Sequence, residues 1–426
     1  MLPNSMWEAT ANERPSYPRV EGDHSCDVVI IGGGFTGLSA AYHLQEMNVD
    51  TIVLEKDRVG TGASGRNGGE VLTGYLGSME GIAKSKGLEE AKEMWKLSLE
   101  SIDLIESIID KNNIQCDFVR NGHFNGAHKR NRLKGMRQNQ KFMSKYLNYN
   151  KIDIVEEKNI KNELNTDFYY GGEIDLSSAH FHPLNYTLGL AKVASSKGAR
   201  IFEESAATKI KYKKKDKVII ETNRGRIIAN DLIIATNGYA DDIHKTIKKS
   251  VVPIESIMIA TESLNEEIMN DIIPKNRAVF DTKNLLYYFR RTADNRLAFG
   301  GSGRASSQRD SKKLFDNLHK GMLEVYPQLK HAKIEYNWGG KVGFTSTMLP
   351  HIGQLKNGAY FGYGYGGHGS AMSTMFGKII AKSIVKGHPI ENPLMIDKLK
   401  PIPFHSHHAK GVSLVKFYKQ IQDILT

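Results

Sequence analysis

Residues 27–55 read DVVIIGGGFTGLSAAYHLQEMNVDTIVLE, and this stretch decides the fold class. The β-branched run from Asp27 to Ile31 predicts a buried parallel strand that enters a glycine turn. Thr36 to Met47 carries apolar residues at helical spacing, and Asn48 favours a left-handed stop after it. Thr51 to Leu54 predicts a second strand. Strand, turn, helix and strand make a βαβ unit, which implies a parallel sheet with helices packed on it.

The glycine turn carries the dinucleotide-binding pattern Gly32-x-Gly34-x-x-Gly37. Gly32 permits the tight turn, Gly34 lets the backbone approach a pyrophosphate, and Gly37 allows the helix to pack on the strand. The N-terminus of that helix supplies free N–H groups and a positive dipole end to the phosphates. Glu55, at the end of the second strand, can accept hydrogen bonds from a ribose diol. It would repel a phosphate on that ribose, so an NADP-type ligand is disfavoured.

A second glycine-rich stretch separates FAD from NAD as the expected ligand. Gly60 to Gly69, GTGASGRNGG, follows Glu55 closely and can run under a pyrophosphate and a flavin, offering backbone amides where only glycine fits. Arg66 and Asn67 lie among these glycines, and their chemistry is poorly suited to a flexible linker. The stretch therefore favours a flavin-binding loop.

Length and composition limit the class of protein. A chain of 426 residues with average hydrophobic and charged fractions predicts a globular protein with two domains, either consecutive or interleaved along the chain. Lys and Arg exceed Asp and Glu by 11, but the excess is diffuse, and its densest run, Lys211 to Lys217, predicts a solvated hairpin turn. Because the sequence has neither a clustered basic face nor a motif typical of nucleic-acid recognition, no nucleic-acid partner is expected.

The two cysteines, Cys26 and Cys116, are too few for a disulfide framework or a thiolate metal site, so buried free thiols and no metal are expected. The start of the chain has no basic and apolar leader, and no apolar run approaches about 18 residues. We therefore expect a soluble, cytoplasmic protein without a membrane span.

Further elements follow from periodicity and turn residues. Helices are predicted in three places. One or two helices lie within Lys84 to Lys111, one runs from Pro183 to Gly198, and one runs from Ser370 to Lys386 and ends at Gly387. The predicted strands are Arg200 to Glu203, a hairpin of Val218 to Thr222 with Arg226 to Ala229, Leu232 to Ala235, and Tyr360 to Tyr365. Ser256 to Thr261 and Leu285 to Arg290 predict antiparallel strands of an inserted second sheet.

Asp27 to Gly69 closely resembles the glycine and D-amino-acid oxidase superfamily of FAD enzymes. The string GASGRNGG resembles the γ-glutamylputrescine oxidoreductase branch of that superfamily. The likeness continues along nearly the whole chain, through Trp7, His180 to Asn185, Tyr288 to Arg290, Trp338, Leu349 to Gly353 and Gly367 to Gly369. Two departures leave the substrate open, because both positions could line its pocket: Phe289 replaces a tyrosine usual in the branch, and Lys341 stands where a neutral residue is expected.

The resemblance implies an α/β fold with a discontinuous, doubly wound (Rossmann-like) FAD domain and an inserted α+β substrate domain on an antiparallel sheet. Residues 1–80, 151–250 and 338–426 are assigned to the FAD domain, and residues 81–150 and 251–337 to the substrate domain. The implied reaction is hydride transfer from a C–H bond next to an amine to the flavin, which gives an imine that water hydrolyses. O2 is the expected acceptor, giving H2O2, and a quinone or other carrier is the alternative. No cysteine lies near the late flavin-contact region, so FAD is expected to be non-covalent.

The late glycine loop, Gly366 to Ser370, is suited to contact a flavin for a separate physical reason. Reduced flavin gathers negative charge at one edge of its ring, which needs a preorganised positive partner. Gly366 to Ser370 opens a helix, so its free amides and dipole end can point at that edge. The resemblance implies the same placement for Gly367, His368 and Gly369, although His368 could also be an ordinary loop histidine.

The complete set of expected cofactor-binding residues is Gly32, Gly34, Phe35, Thr36, Gly37, Glu55, Lys56, Gly62, Ala63, Ser64, Arg66, Asn67, Gly68, Gly69, Ala207, Thr236, Asn237, Gly238, Trp338, Gly340, Gly367, His368, Gly369 and Ser370.

The expected catalytic residues are His368, Arg290 and Tyr288. Arg290 is suited to hold a substrate carboxylate through a bidentate fork, with a surface strand arginine as the alternative. Lys341 is either a solvated charge or a cation that assists electron transfer to oxygen. His182, before Pro183, is expected to cap a helix.

The basic segment from His405 to Thr426 could contact a membrane or a partner, but packing against its own domain is favoured. The substrate stays open among γ-glutamylated polyamines, D-amino acids, glycine and N-methyl amino acids, as does the oligomeric state. The alternatives are an NAD-dependent dehydrogenase, an amino-acid dehydrogenase that passes electrons to a carrier, and a flavin-binding protein without turnover.

Overall fold

The computed structural model describes residues 5–213, 217–240, 242–303, 311–403 and 405–408, together with Val412 and Asp423. Ten α-helices lie in this part of the chain: α1 (Met6–Ala9), α2 (Phe35–Glu46), α3 (Met79–Lys86), α4 (Leu88–Asn112), α5 (Arg130–Leu147), α6 (Pro183–Ser196), α7 (Lys245–Ser250), α8 (Glu266–Ile272), α9 (Ser311–Val325) and α10 (Gly369–Lys386).

Eighteen strands lie in the same described residues. They are β1 (Gly22–Ile31), β2 (Thr51–Leu54), β3 (Glu70–Val71), β4 (His123–Gly126), β5 (Ile152–Glu156), β6 (Gly171–Asp175), β7 (Ala179–His180), β8 (Arg200–Phe202), β9 (Lys209–Lys213), β10 (Lys217–Glu221), β11 (Gly225–Ile234), β12 (Val252–Thr261), β13 (Ala278–Asp281), β14 (Tyr288–Arg291), β15 (Leu297–Ser302), β16 (Ile334–Phe344), β17 (His351–Gln354) and β18 (Tyr360–Tyr363).

The first sheet has the strand order β17-β18-β11-β1-β2-β8. β1 is parallel to both β11 and β2, β2 is parallel to β8, and β18 is parallel to β11. This confirms the predicted βαβ unit and the doubly wound class. Asn48 has φ +58° just after α2, as its left-handed stop requires. The predicted hairpin of 218–222 with 226–229 is confirmed, because β10 pairs antiparallel with β11. β9 also pairs with β10, so Lys211 to Lys213 and Lys217, which were expected in a turn, lie in strands. Residues 214–216 lie outside the described residues.

One strand of the first sheet differs from the prediction. The segments predicted as two separate strands, 226–229 and 232–235, are both part of the continuous β11. β11 pairs with β10 on one side and runs parallel to β1 along its whole length on the other. Polar Asn230 and Asp231 interrupt the apolar run, but the parallel pairing with β1 carries the strand through them.

The second sheet has the order β16-β12-β15-β14-β13-β4-β6-β5 and is antiparallel except for the pair β13 and β4. It corrects two predicted boundaries. β5 and β6 belong here, because β6 pairs with β4 and β5 pairs with β6, so residues 151–175 are not part of the first sheet. β16 crosses the boundary drawn at residue 337 and pairs along its length with β12.

A short antiparallel pair, β3 with β7, lies between the two large sheets, with Glu70 opposite His180. It fixes the end of the glycine-rich stretch 60–69. His182 caps α6 as expected, because its Nδ1 accepts the Asn185 N–H at 3.1 Å. Cys26 and Cys116 are buried and unpaired, as predicted.

No helix in the described part of the chain is both long enough and apolar enough to cross a bilayer. Most of the basic C-terminal segment lies outside the described residues. His405 shares a hydrogen bond of 2.9 Å with the Val251 oxygen, and the Asp423 carboxylate accepts the N–H groups of Asn284 and Leu285 at 2.8 and 3.0 Å. These two residues of the segment thus contact their own chain, as favoured.

The helices α2 and α10, from opposite ends of the chain, pack with almost no side chain between them. A Cβ on Gly377 of α10 would lie 2.6 Å from the Thr36 oxygen and 2.6 Å from the Ser39 Cβ. Ser39 Oγ also donates to the Thr374 oxygen at 2.7 Å. Gly377 therefore sets the distance between the two helices whose N-termini face the nucleotide region.

We expect Gly377→Ala to lower the free energy of unfolding by about 1–3 kcal/mol, since the added methyl overpacks a backbone contact. Urea denaturation followed by circular dichroism measures the change. Gly135→Ala is the control: Gly135 lies inside α5 with nothing within 4 Å of an added Cβ. That variant should gain about 0.5–1 kcal/mol from helix propensity. Equal effects in the two variants would contradict the packing argument.

Candidate active site

A cavity of about 1630 Å³ lies between the two sheets. Drug-sized ligands occupy pockets of about 300–1,000 Å³, so this volume suits a dinucleotide together with a substrate. Its wall includes these predicted residues: Gly32, Gly34, Phe35, Thr36, Glu55, Lys56, Gly62, Ala63, Ser64, Arg66, Asn67, Gly68, Ala207, Thr236, Asn237, Tyr288, Gly340, Gly367, His368, Gly369 and Ser370.

The dinucleotide turn requires glycine for close backbone approach. Gly32 has φ +113°, and an added Cβ would lie 2.7 Å from the Ala235 oxygen. A Cβ on Gly37 would lie 2.0 Å from the Gly32 oxygen, so α2 can start against the turn only without a side chain there. Gly37 thus serves packing and lies behind the cavity wall. The first turn of α2 carries amide groups without helical partners, which suits an anion.

Glu55 lies at the carboxyl end of β2, and its carboxylate is held by the backbone. Oε2 accepts the Gly33 N–H at 2.8 Å, and Oε1 accepts the Asp57 N–H at 3.0 Å. Burial raises the pKa of Glu55, while these two hydrogen bonds act in the opposite direction. Each carboxylate oxygen keeps a further lone pair, which leaves Glu55 able to accept from a ribose diol.

The loop of residues 60–69 is braced on both sides. Trp7 Nε1 donates to the Asn67 oxygen at 2.8 Å, and Trp338 Nε1 donates to the Arg66 oxygen at 2.9 Å. The Arg66 guanidinium donates to the Thr61 and Gly339 oxygens at 2.6 and 2.9 Å. Indole and guanidinium donors thus satisfy the loop carbonyls, and the loop is a rigid wall rather than a linker.

Three further predicted cofactor residues lie behind this wall: Gly69, Gly238 and Trp338. An added Cβ on Gly69 would lie 2.2 Å from the Phe181 oxygen, and one on Gly238 would lie 3.4 Å from the Gly343 nitrogen. Trp338 is buried, with its ring edge-to-face against Trp7. These residues support the wall through backbone approach and packing.

The structure does not place Arg290 as a fork toward a substrate. Only 3 % of the residue is exposed, and it is not part of the cavity wall. Its Nε donates to the Gly68 oxygen at 2.7 Å, and one terminal nitrogen donates to the Phe181 oxygen at 2.6 Å. Its guanidinium carbon lies 4.9 Å from the centre of the Trp7 ring. The guanidinium donors of Arg290 bind backbone carbonyls and not a substrate carboxylate, so Arg290 connects the second sheet to the glycine-rich loop.

Tyr288, two residues before Arg290 on β14, does line the cavity. Its hydroxyl shares a hydrogen bond of 2.8 Å with Ser256. Burial raises the pKa of the Tyr288 phenol above its usual range, so the side chain is a neutral hydrogen-bonding group at physiological pH. It can therefore position a ligand but does not supply a negative charge.

The late glycine loop completes the wall opposite the dinucleotide turn. Gly366 and Gly367 have φ values of +57° and +95°, and α10 begins immediately afterwards. Burial lowers the pKa of His368 to about 4, so its imidazole is neutral near pH 7. The positive end that this loop offers is thus the helix dipole and the free amides of α10.

The two positions that depart from the family pattern have different environments. Phe289 is 1 % exposed and stacks on Phe299 in the core of the second sheet, at 5.2 Å between ring centres, so it does not line the pocket. Lys341 is an exposed residue on the cavity rim, opposite Glu255 in the β12–β16 register, and its ammonium lies 5.4 Å from the centre of the Tyr239 ring.

Several cavity residues were not expected from the sequence: Glu70, Arg132, Asn125, Asn139 and Glu173. Glu70 directly follows the glycine-rich loop, and alternation along β3 could have indicated that its side chain faces the ligand. Arg132 and Asn139 lie on one face of α5 at a spacing of seven residues, but nothing in the local pattern says that this face lines a cavity. Glu173 and Asn125 lie on β6 and β4, which became neighbours only when the second sheet formed.

The polar atoms of the wall suit FAD. Thr61 Oγ1, Thr236 Oγ1 and His368 Nδ1 are buried without a hydrogen-bond partner among the described residues, and all three residues line the cavity. Buried polar groups normally have partners, and an unmet group costs about 1–3 kcal/mol. A phosphate, ribose or flavin edge offers the complementary groups.

Comparison with known proteins agrees with this geometry. The family description "FAD dependent oxidoreductase" (DAO) matches residues 27–383. Two relatives are a probable oxidoreductase, OrdL, of Haemophilus influenzae, 38 % identical over 88 % of this chain and 86 % of the relative, and the gamma-glutamylputrescine oxidoreductase of Escherichia coli, 34 % identical over 89 % and 88 %.

Solved structures show the same fold. Glycine oxidase from Geobacillus kaustophilus superposes with a TM-score of 0.72 at 19 % identity, over 87 % of this chain and 96 % of that one. L-proline dehydrogenase from P. horikoshii gives the same TM-score, identity and coverage. The chain therefore belongs to the DAO family of FAD-dependent oxidoreductases and is an enzyme with FAD as its cofactor.

Proposed function

We propose that this enzyme oxidises the C–N bond at the free amine of a γ-glutamylputrescine-like compound to an imine, with O2 as acceptor and H2O2 as product. The Escherichia coli relative carries this substrate in its name. The observation that carries the proposal is a group of polar residues in the cavity wall, called here the distal branch and formed by Arg132, Asn125, Asn139 and Glu173.

The distal branch offers groups for both charges of an amino-acid head. Glu173 accepts the side-chain N–H groups of Asn125 and Asn139 at 3.1 and 3.4 Å, and Asn125 Oδ1 has no partner among the described residues. These oxygens suit an ammonium. Arg132 Nε is a buried donor that likewise lacks a partner in the described chain, and it suits a carboxylate.

The spacing of the polar groups in the distal branch favours an elongated substrate over a small amino acid. Arg132 and Asn139 are two turns apart on α5, about 10 Å along the axis, and the long arginine side chain shortens this gap. A γ-glutamyl group carries an ammonium and a carboxylate at one end, while its alkyl amine extends away from them. Glycine or sarcosine would leave the buried polar groups of the branch unpaired, which disfavours them as substrates.

In the proposed complex each residue has a binding or orienting role. When bound, FAD supplies the two-electron acceptor for the C–H bond next to the amine. The dinucleotide turn and α2 hold its pyrophosphate, Glu55 its ribose, and the α10 N-terminus the ring edge that becomes negative on reduction. Tyr288 and neutral His368 provide hydrogen bonds beside the substrate, and Lys341 is the rim cation proposed to assist electron transfer to oxygen.

We expect γ-glutamylputrescine to bleach the yellow flavin absorbance of the purified protein under anaerobic conditions, because a bound amine donates two electrons. Admitting air should restore the colour and produce one peroxide per flavin, measured with a peroxidase assay. D-alanine and sarcosine serve as comparison amines. Faster bleaching by either would contradict the proposed substrate, and restoration of colour only with a quinone would contradict O2 as acceptor.

We expect Glu173→Gln and Arg132→Met each to raise KM for γ-glutamylputrescine by about 10- to 100-fold, since a hydrogen bond to a charged group contributes about 1.5–3 kcal/mol. KM for putrescine, which lacks the amino-acid head, should change much less in Arg132→Met. Arg137→Met is the matched control, because Arg137 lies on the same helix but pairs with Glu156 in solvent. If KM rises equally for γ-glutamylputrescine and for putrescine, the distal branch does not bind the amino-acid head of the substrate.

We expect Arg290→Met to weaken FAD binding by about tenfold or more while KM for the amine stays within about twofold, because buried loop carbonyls lose their donors. Fluorescence of released FAD measures the dissociation constant. Arg291→Met, on the neighbouring residue of β14, is the control. A variant with normal FAD affinity and a raised KM would restore Arg290 as the substrate anchor.

A further inference from the structure

Glu70 is a half-buried residue whose carboxyl group the roles above leave unused. It follows Gly69 directly, lies on β3, and lines the cavity between the glycine-rich loop and the second sheet. Its Oε1 is inaccessible to solvent and has no hydrogen-bond partner in the described part of the chain. A carboxyl oxygen in this condition is rare, because the unmet group destabilises the folded protein unless a ligand satisfies it.

The position of Glu70 places it beside Tyr288. A Cβ built on Gly68 would lie 3.1 Å from the Tyr288 ring and 3.6 Å from the carboxyl carbon of Glu70, so both groups flank the same short stretch of loop. The carboxyl group and the phenol therefore face one region of the cavity, where the loop meets the second sheet.

The groups around Glu70 leave it without a cationic hydrogen-bond partner. Arg290 acts on it electrostatically, but the Arg290 donors go to the Gly68, Phe181 and Arg291 oxygens. His180 lies opposite Glu70 in the β3–β7 pair, and burial with the nearby Arg290 charge lowers the pKa of His180 to about 3, so it is neutral. Tyr288 is neutral as well. A ligand cation would be the first group to pair directly with this carboxyl.

We propose that Glu70 binds the ammonium of the amine that is oxidised and accepts its proton, so that the amine presents a lone pair at the reacting carbon. The inference rests on the proposed function in requiring an amine substrate. The transfer is R–NH3⁺ + Glu–COO⁻ → R–NH2 + Glu–COOH; one N–H bond breaks, one O–H bond forms, and no electron is exchanged. The complex thus contains one titratable proton, which is shared by the amine nitrogen and the Glu70 carboxyl group.

The protonation of free Glu70 gives the step a measurable signature. Burial raises the pKa of Glu70 to about 8, and the Arg290 charge only partly opposes this. Below pH 8 the empty site therefore holds Glu70 as a neutral acid, while the amine in solution is an ammonium. Forming a complex with one shared proton then releases a proton to the solvent. Amine affinity should rise as pH increases to about 8 and level off above it.

The experiment is calorimetry at pH 7 on the holoenzyme after anaerobic reduction, because the reduced enzyme cannot oxidise the ligand. γ-Glutamylputrescine is titrated in phosphate and in Tris, two buffers with different ionisation enthalpies. The wild type should release close to one proton per amine bound. Glu70→Gln should release none and bind at least tenfold more weakly, and its affinity should not change as pH passes 8.

Two further variants keep the result interpretable. Glu70→Asp retains the carboxyl, so it should bind more weakly but still release a proton, even if Glu70→Gln fails to fold. Glu267→Gln, at an exposed position of α8, is the matched control and should behave as wild type.

Proton release from Glu70→Gln equal to that of the wild type would overturn the proposal. So would a Glu70→Gln variant that loses FAD affinity but binds the amine normally, since Glu70 would then serve the cofactor. Failure of γ-glutamylputrescine to bleach the oxidised wild type overturns the proposed function instead. In that case the amine that bleaches the flavin fastest becomes the titrant, and the same comparison decides the role of Glu70.

Discussion

The whole arrangement depends on backbone approaching backbone at the dinucleotide turn. With no side chain at Gly37, the first turn of α2 rests on the Gly32 carbonyl, where a Cβ would have only 2.0 Å. This contact sets the N-terminus of α2 at the edge of the parallel sheet, beside Glu55. The same device is used at the other end of the chain, where Gly377 lets α10 lie against α2. Two helix N-termini are thereby directed at one cavity, although more than 300 residues separate them in sequence.

The second sheet is joined to this nucleotide site through a buried cation as well as through apolar packing, since Met258, Ala298 and Trp338 belong to the same core cluster as Val28 and Phe35. Arg290 extends from β14 and donates to the carbonyls of Gly68 and Phe181, while its guanidinium lies over Trp7. An arginine suits this task because its planar group has five donors in a fixed geometry. Together with the hydrogen bonds from Trp338 to the Arg66 oxygen and from Arg66 to the Gly339 oxygen, Arg290 thus fixes the second sheet against the glycine-rich loop. A change at Arg290 should be felt first by the loop that faces the flavin.

The charge state of the cavity also has a common physical origin. Burial makes His368, Tyr288 and the free Glu70 neutral near pH 7, since desolvation disfavours the charged form of each. The positive field that remains comes from cations of the cavity wall, which include Arg66, Arg132 and Lys341, from Arg290 behind the wall, and from the α10 dipole. A pocket of this kind favours a cofactor that gains negative charge on reduction. In the proposed complex Glu70, which is protonated in the empty site near pH 7, must release its proton to the solvent before it can accept one from the ammonium.

The sequence by itself determined the βαβ unit, the glycine turn with Glu55, the flavin loop and the late helix from Gly369 to Lys386. Each of these is encoded within about 30 residues, by apolar spacing and by glycines at positions that exclude a side chain, so local patterns were sufficient. The family resemblance then predicted FAD and the two-sheet architecture, and both are confirmed.

Tertiary structure alone decided where the strands after residue 150 belong and which way the polar side chains point. β6 joined the second sheet by pairing with β4, and β5 by pairing with β6, and the β4–β6 pair brought Glu173 next to Asn125. Arg290 turned from a predicted substrate anchor into a loop brace, and Glu70 became a cavity acid, through contacts with segments far away in sequence. Such contacts depend on the packing of whole sheets against each other, and no local spacing of residues carries that information.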